Sequence, residues 1–141
     1  MRAYTLNDIP WLAGLLEGEG SFEWRSDQRP GRIRYGWPVV ALASTDEDIV
    51  RRAATLMGAK SITRYKGNNL GKKPIHKAIV YGMNAADVMQ AILPYMGVRR
   101  SEKIKEHLKK WAERPECRKR RKTCELLSYL LSHPGYSVAL Q

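Results

Sequence analysis

The sequence predicts an α+β domain in which helices pack on one four-stranded antiparallel sheet. Three observations predict this fold class. Stretches with apolar residues at helical spacing alternate with short strands, in the order helix, two strands, helix, two strands, helix. The 141 residues fit a single domain, 1–141, with a core of about 8–112 and a basic helical extension over 113–141. No low-complexity segment or linker interrupts the pattern.

The first helix is predicted to begin at a cap, Asn7 or Asp8, and to end at Gly20 as helices end at a C′ glycine. The following stretch, 21–26, alternates apolar and polar side chains and predicts a half-buried strand. Its inward side chains are Phe22 and Trp24.

The remaining elements follow from caps, breakers and periodicity. A second strand is expected over 32–43, with a bend or bulge at Gly36 and Pro38, and Thr45 is expected to cap the next helix. Two more strands over 61–66 and 75–83 precede a helix capped by Asn84, which Pro94 interrupts. The last predicted elements are a basic amphipathic helix over 101–113 and a short helix over 124–132.

Charge narrows the class of function. The chain has 25 Lys and Arg against 14 Asp and Glu, a formal net charge of +11, which favours a polyanionic partner. The sequence has no transmembrane run and no signal peptide, so we expect a cytoplasmic, nucleoid or organellar-matrix protein that is not secreted and has no membrane partner. We also expect no small-molecule substrate. Cys117 and Cys124 do not form a disulfide framework, and a zinc site with His107 or His133 would lack a close C-x-x-C pair.

Two carboxylates, Glu17 and Glu19, end the first helix. The negative end of the helix dipole makes an acid there unfavourable by about 0.3–1 kcal/mol, so a compensating cation is expected. In a basic protein the candidate is a metal ion shared with nucleic acid. Residues two apart on a helix face nearly opposite sides, so the two acids cannot easily chelate one ion together. The alternative is a solvated helix end whose acids pair with Arg or Lys.

Two glycines lie one turn apart in the same helix, at Gly14 and Gly18. Each is less favourable in a helix interior than Ala by roughly 0.5–1 kcal/mol, so a packing reason is expected. The small residues allow another backbone to approach closely, either within the chain or from a second copy. A two-fold dimer packed on this seam would bring two copies of Glu19 together, where divalent cations would relieve their repulsion.

The stretch that carries these features resembles the defining motif of the LAGLIDADG homing endonucleases at nine consecutive positions, Leu12-Ala13-Gly14-Leu15-Leu16-Glu17-Gly18-Glu19-Gly20. Ser21-Phe22, the segment 44–46 and the segment 93–96 also resemble family landmarks, so the resemblance covers about 10–110. Only one motif copy is present, and single-motif chains of this family act as homodimers. The resemblance implies a site-specific double-strand DNA endonuclease acting on a long, near-palindromic site.

By this resemblance Glu19 is the metal-binding catalytic carboxylate, and the Gly20 carbonyl completes the shell of a Mg²⁺ ion, with Mn²⁺ or Ca²⁺ as other occupants. Glu17 is expected to be structural, by capping or by contacts across the dimer. The expected dimer interface comprises Leu12, Ala13, Gly14, Glu17 and Gly18.

The chain departs from the family in the residues around the catalytic water. The family's polar residue after the second strand maps to Thr45, whereas its Lys after the fourth strand falls near Met83 and has no counterpart. Arg51, Arg52 or Lys77 could supply the positive charge instead, and Thr45 and Arg51 are retained as the expected periphery of the active site.

DNA is expected on the strand faces opposite the core, because Arg, Gln and Asn read purine edges in the major groove and Lys holds phosphate. The predicted contacts are Ser21, Glu23, Arg25, Gln28, Arg29, Arg32, Arg34, Tyr35, Thr63, Arg64, Lys66, Lys72, Lys73, His76 and Lys77. The basic cluster 118–122 is either a phosphate clamp or a solvated turn.

Other functions stay open at the level of sequence. The absent Lys is compatible with a DNA- or RNA-binding protein of the same fold without strong cleavage activity, either an intron maturase or a DNA-binding regulator. A small basic RNA-binding structural protein would require an accidental motif match, and the chain could also be one half of a heterodimer.

Overall fold

The computed structural model describes residues 5–31, 35–66 and 72–114. The elements are α1 (Asp8–Glu19), β1 (Gly20–Ser26), β2 (Gly36–Ser44), α2 (Glu47–Met57), β3 (Ile62–Tyr65), β4 (Ile75–Tyr81), α3 (Gly82–Ile92), a 3₁₀ turn (Leu93–Tyr95) and α4 (Val98–Ala112). The predicted element order and the α+β class are therefore confirmed. The predicted helix over 124–132 lies outside the described residues.

The four strands form one antiparallel sheet in the order β1-β2-β4-β3. Directly paired residues place their side chains on the same side of a sheet. Phe22 pairs with Val40, which pairs with Val80, and all three are buried in the core. We call the side that carries them the helix face, because the helices pack there, and the opposite side the open face.

One apolar core lies between the helix face and the helices. Each helix contributes side chains at helical spacing, which is how an amphipathic helix covers a sheet. The fully buried contributions include Leu12 and Leu16 from α1, Val50 and Ala53 from α2, Val88, Met89 and Ile92 from α3, and Ile104 from α4. No described helix has the length and apolar character needed to cross a bilayer.

Two predicted caps are wrong. Asp46, not Thr45, occupies the cap position of α2, because Asp46 has extended backbone angles and its carbonyl accepts the first helical hydrogen bond, from the Val50 N–H at 3.2 Å. Asn84 lies within α3, which begins at Gly82 directly after β4. Gly82 has φ +60°, a left-handed conformation that makes this abrupt transition possible.

Several boundaries also shift. The helix predicted over 101–113 begins one turn earlier, at Val98. β1 and β2 pair without interruption from Gly20–Leu42 to Ser26–Gly36, so the expected bulge near Gly36 and Pro38 does not occur. Gly36 has a different reason to be glycine: a Cβ there would lie 2.0 Å from Nε1 of Trp24, whose ring fills the space.

Gly20 does not end α1 as a left-handed C′ glycine. Its φ of −79° and ψ of 156° are extended, and the chain enters β1 at this residue. A Cβ at Gly20 would lie 2.6 Å from the Leu16 carbonyl oxygen, so the absence of a side chain is what permits the close approach. The helix therefore passes into the strand without a loop, which fixes the position of its last residues relative to the sheet.

A buried histidine makes the stability of this core sensitive to pH. His107 on α4 is 6% exposed and stacks on Trp24 with ring centroids 6.2 Å apart. Burial lowers the pKa of this imidazole below its ordinary value of about 6.5. The unfolded chain therefore takes up the proton at a higher pH than the folded chain does, and protonation favours unfolding.

We expect the free energy of unfolding to be fully retained above about pH 7 and to fall as the pH decreases through about 6.5. The variant His107→Gln should lose less stability over this range than the wild type. Urea midpoints at about pH 7.5 and about pH 5.5 measure the difference. Parallel losses in the two proteins would contradict this role of His107.

Candidate metal and nucleic-acid interface

Glu19, the last residue of α1, lies at the edge of a depression of about 580 Å³. The depression is lined by Leu15, Glu19, Ala43, Ser44, Thr45, Asp46, Ile49 and Ile75. The structure thus brings Glu19 and Thr45 to one depression. It also adds Asp46, which the sequence analysis included in the landmark segment 44–46 but did not name as a site residue. The sequence does contain a signal for this residue, because an acid directly follows Thr45 and could serve as a second carboxylate at the site.

The Glu19 side chain is exposed and has no hydrogen bond or ion pair to any residue in the described part of the chain. The alternative that this acid pairs with an Arg or Lys of its own chain is therefore not observed there. Its carboxylate remains a free oxygen donor beside the depression.

Glu17 has a different environment. Its Oε2 accepts a hydrogen bond from the Gly97 N–H at 3.3 Å, and its Oε1 lies 3.9 Å from Nε of Arg100. Gly97 caps α4, and helix N-termini carry a partial positive charge. Glu17 therefore stabilises the start of α4, and the charge of this acid is compensated within the chain.

The Gly20 carbonyl, which the resemblance assigns to a metal ion, is engaged by the protein instead. It accepts a hydrogen bond from Nη1 of Arg100 at 2.8 Å. A guanidinium at this oxygen disfavours a second cation there. The last turn of a helix leaves carbonyl groups without helical donors, so backbone oxygens near Glu19 are other candidate ligands.

The donors that one chain offers around the depression are all oxygens: the carboxylates of Glu19 and Asp46 and the hydroxyls of Ser44 and Thr45. Mg²⁺ is usually held by one or two carboxylates together with substrate phosphates and water. In the described ranges no three His, Cys, Asp or Glu residues are grouped to hold a metal ion. The residues therefore fit a magnesium ion shared with a phosphate, and not a closed protein cage.

The exposed side of α1 carries both helical glycines. No atom lies within 4 Å of a Cβ built on Gly14 or Gly18, so the tight contact within the chain does not occur among the described residues. Leu12 and Ala13, expected at the dimer interface, are each 1% exposed and pack in the core of their own chain. That expectation is wrong for these two residues, whereas Gly14, Glu17 and Gly18 remain exposed.

The open face carries five of the predicted DNA contacts. The register places Ser21, Glu23 and Arg25 of β1, Thr63 of β3 and Lys77 of β4 on it. The same face presents exposed side chains that sequence reasoning missed, namely Tyr65, Ile75 and Tyr81. Period-2 counting from Lys77 along β4 would have found Ile75 and Tyr81.

Two predicted contacts lie on the other side of the sheet. His76 shares its face with Ala78, is 6% exposed, and pairs directly with Arg64. Both side chains therefore project from the helix face, and their assignment to a strand face that reads DNA is wrong. The physical reason is the strict alternation of β4, which places Lys77 on the open face and its neighbour His76 against the helices.

Arg51 also lies away from Glu19. It forms an ion pair with Glu47 one turn earlier on α2 and lines a separate depression of about 350 Å³ with Arg64 and His76. This side chain therefore does not belong to the periphery of the Glu19 depression. Lys77 faces the open side of the sheet, and Arg52 stacks over the Trp11 ring at 3.9 Å.

The remaining predicted contacts lie at the ends of the strands. After β1, Arg29 pairs with Asp27 at 2.6 Å and lowers the pKa of that carboxyl to about 2, while Gln28 donates to the Ser26 hydroxyl. Tyr35 lies near the Arg114 guanidinium, 5.5 Å from its ring centroid. Lys66, Lys72 and Lys73 are exposed at the ends of β3 and β4. Of the residues named in the sequence analysis, several lie outside the described ranges, namely Arg32, Arg34, Cys117, Cys124, His133 and the cluster 118–122.

No protein-family model and no curated protein matches the sequence. Solved structures do match. The homing endonuclease I-CvuI, in complex with the I-CreI target and 2 mM Mg with the DNA not cleaved, is 17% identical, with a TM-score of 0.56 over 77% of this chain and 68% of that chain. I-CvuI with its own target and Ca gives 15% identity and a TM-score of 0.54 over 89% and 85% of the two chains.

The archaeal intron-encoded homing endonuclease I-Vdi141I, complexed with DNA, is 12% identical with a TM-score of 0.54, over 87% of this chain and 83% of that chain. At these identities the likeness concerns the fold. The chain has the fold of the LAGLIDADG homing endonucleases, as the motif at 12–20 predicts.

Proposed function

We propose that the protein is a homodimeric, metal-dependent endonuclease that cuts a long, near-palindromic duplex DNA site. The observation that carries this proposal is Glu19: an unpaired carboxylate at the end of α1, beside a depression that also contains Asp46. The fold supports it, because the solved structures with this fold include homing endonucleases in complex with DNA.

DNA would lie on the open face. A net charge of +11 favours a polyanion, and among the described elements no helix covers this side of the sheet. A curved antiparallel sheet can enter the major groove, where Arg25 is a candidate for base edges and Lys77 for phosphates. Tyr81, whose ring lies 5.9 Å from the Arg25 guanidinium, would limit the positions open to this arginine.

The second subunit would pack on the exposed glycines of α1. Gly14 and Gly18 lie one turn apart, on the same side of the helix as Glu17, and the absence of a side chain at the two glycines permits close helix contact. A two-fold axis at this seam would place the two copies of Glu19 near each other, across one DNA duplex.

Glu19 and Asp46 are the residues that would hold Mg²⁺ with the scissile phosphate. When bound, such an ion lowers the pKa of an attacking water and stabilises charge on the phosphate and on the leaving oxygen. The chain's own contribution is to fix the carboxylates at the depression, and the Thr45 hydroxyl can orient a water there. The exposed open face orients the duplex.

A second candidate is a nucleic-acid-binding protein of the same fold that does not cut, such as a maturase or a regulator. One observation favours it: none of the described residues that line the Glu19 depression is Lys or Arg. A cation near the attacking water would assist cleavage, so its absence from this lining is compatible with a binding role.

The first test is cleavage. We expect the wild type with Mg²⁺ to cut a subset of a randomised duplex library, and sequencing of the cut ends to give the site. Glu19→Gln should lower the single-turnover rate at that site by about 100-fold or more, because it removes a charge that acts in the transition state. DNA affinity measured in Ca²⁺ should change little.

The control is Glu102→Gln, an exposed carboxylate on α4 that should leave the rate unchanged. Cutting by Glu19→Gln at the wild-type rate would refute the catalytic role. Selective binding by the wild type without any nicking would favour the second candidate.

The second test is assembly. We expect light scattering to give twice the mass of one chain, and Gly18→Leu to give the mass of one chain. A Cβ at position 18 would meet nothing within 4 Å among the described residues, so the fold should be kept while the seam is blocked. Glu102→Leu places the same side chain at an exposed position of α4 and should leave the dimer intact. A dimeric Gly18→Leu protein would contradict the proposed seam.

The third test compares the two faces of the sheet with one charge removed from each. Lys77→Ala, on the open face, should weaken DNA binding and reduce the salt slope by about 1, as expected for one lost phosphate contact. Arg64→Ala, on the helix face, removes the same charge and should change neither. Equal losses in the two variants would place the DNA elsewhere.

A further inference from the structure

Among the hydrogen bonds and ion pairs of the described residues, Arg100 is the single side chain that joins both residues flanking the Gly18–Glu19 pair. Its Nη1 donates to the Gly20 carbonyl at 2.8 Å, and its Nε lies 3.9 Å from the Glu17 carboxylate. The guanidinium also lies 5.5 Å from the Phe22 ring centroid, and the side chain is 19% exposed. This arginine is therefore largely removed from solvent at the point where α1 becomes β1.

The charges at this junction are each unfavourable for the helix that carries them. α1 ends in two acids and has no basic residue in its last turn, whereas the first turn of α4 has no acid and contains Arg100. Helix ends prefer the opposite arrangement. The acids at the end of α1 and the cation at the start of α4 neutralise each other's unfavourable charge only where the two helix ends meet. The contacts of Glu17 with Gly97 and Arg100 show that the ends do meet.

The contacts of Glu17 also bear on the direction of Glu19. Gly97 and Arg100 hold Glu17 towards α4, and residues two apart on a helix face nearly opposite sides, so Glu19 faces away from α4, towards the depression with Thr45 and Asp46. Fixing the Gly20 carbonyl holds the next peptide unit. The planar guanidinium suits this task, because it presents several donors in a rigid geometry.

We propose that Arg100 is a positioning residue for Glu19: it holds the backbone and the acid on either side so that the Glu19 carboxylate stays at the depression. This inference rests on the proposed function of Glu19. In this role Arg100 acts through Glu17 and Gly20, and not through a contact of its own with metal or phosphate.

The experiment uses the site selected from the library and pre-bound protein–DNA complex. We expect Arg100→Gln to lower the single-turnover rate by about tenfold or more and to raise the Mg²⁺ concentration for half-maximal rate, as for residues that orient metal ligands. DNA affinity in Ca²⁺ should stay within about twofold. Arg100→Lys keeps the charge but not the fork of donors, so it should recover part of the rate.

The matched control is Lys105→Gln, an exposed cation on the same helix, which should leave rate and Mg²⁺ dependence unchanged. A purely structural role would lower the active fraction and the thermal midpoint of Arg100→Gln without moving the Mg²⁺ midpoint, and that result would overturn the inference. So would an unchanged rate in the folded variant.

A second readout separates this inference from the proposed function. Mn²⁺ binding to the protein–DNA complex is measured for the wild type, Glu19→Gln and Arg100→Gln. Sensitivity to both substitutions supports positioning, whereas sensitivity to Glu19→Gln alone overturns only the role of Arg100. If Glu19→Gln changes neither Mn²⁺ binding nor cleavage, the proposed function fails, and the role of Arg100 fails with it.

Discussion

The end of α1 meets the start of α4, and the arrangement of the site depends on this contact. Glu17 caps the N-terminus of α4 through Gly97, while Arg100 returns from α4 to the Gly20 carbonyl. Each charge would destabilise its own helix end by a few tenths of a kcal/mol up to about 1 kcal/mol, and each stabilises the other helix end instead. Because α1 enters β1 without a loop, the contact also fixes the sheet relative to the helix.

This contact divides the two acids by function. Glu17 faces α4 and has a donor and a cation beside it, whereas Glu19 has no partner in the described residues. Helix geometry explains the division, since residues two apart project to nearly opposite sides. The two acids at the end of α1 therefore differ. The charge of Glu17 is compensated within the chain, whereas the Glu19 carboxylate is available beside Asp46.

Local patterns in the sequence predicted the elements and much of the sheet, because the alternation of Phe22 and Glu23 encodes which side faces the core. They did not predict the face of His76 or Arg64. A polar residue signals neither side by itself. The alternation of β4 puts His76 on the same face as the buried Ala78, and Arg64 follows because it pairs with His76. Local sequence patterns could not predict the contact of Arg100 with Gly20 either, because the two residues are 80 positions apart in the chain.

The helical glycines lead from the single chain to its assembly. Gly14 and Gly18 are each less favourable in α1 than Ala by roughly 0.5–1 kcal/mol, yet no atom of the described chain approaches the space that a Cβ would occupy. The fold of one chain therefore gives no packing reason for either glycine, just as it gives Glu19 no cation. A second copy packed on this face would use the missing bulk, and DNA with a divalent ion would use the carboxylate. The two glycines and the Glu19 carboxylate all lie in the C-terminal half of α1. One symmetric complex of two chains on DNA therefore accounts for the glycines and for the carboxylate.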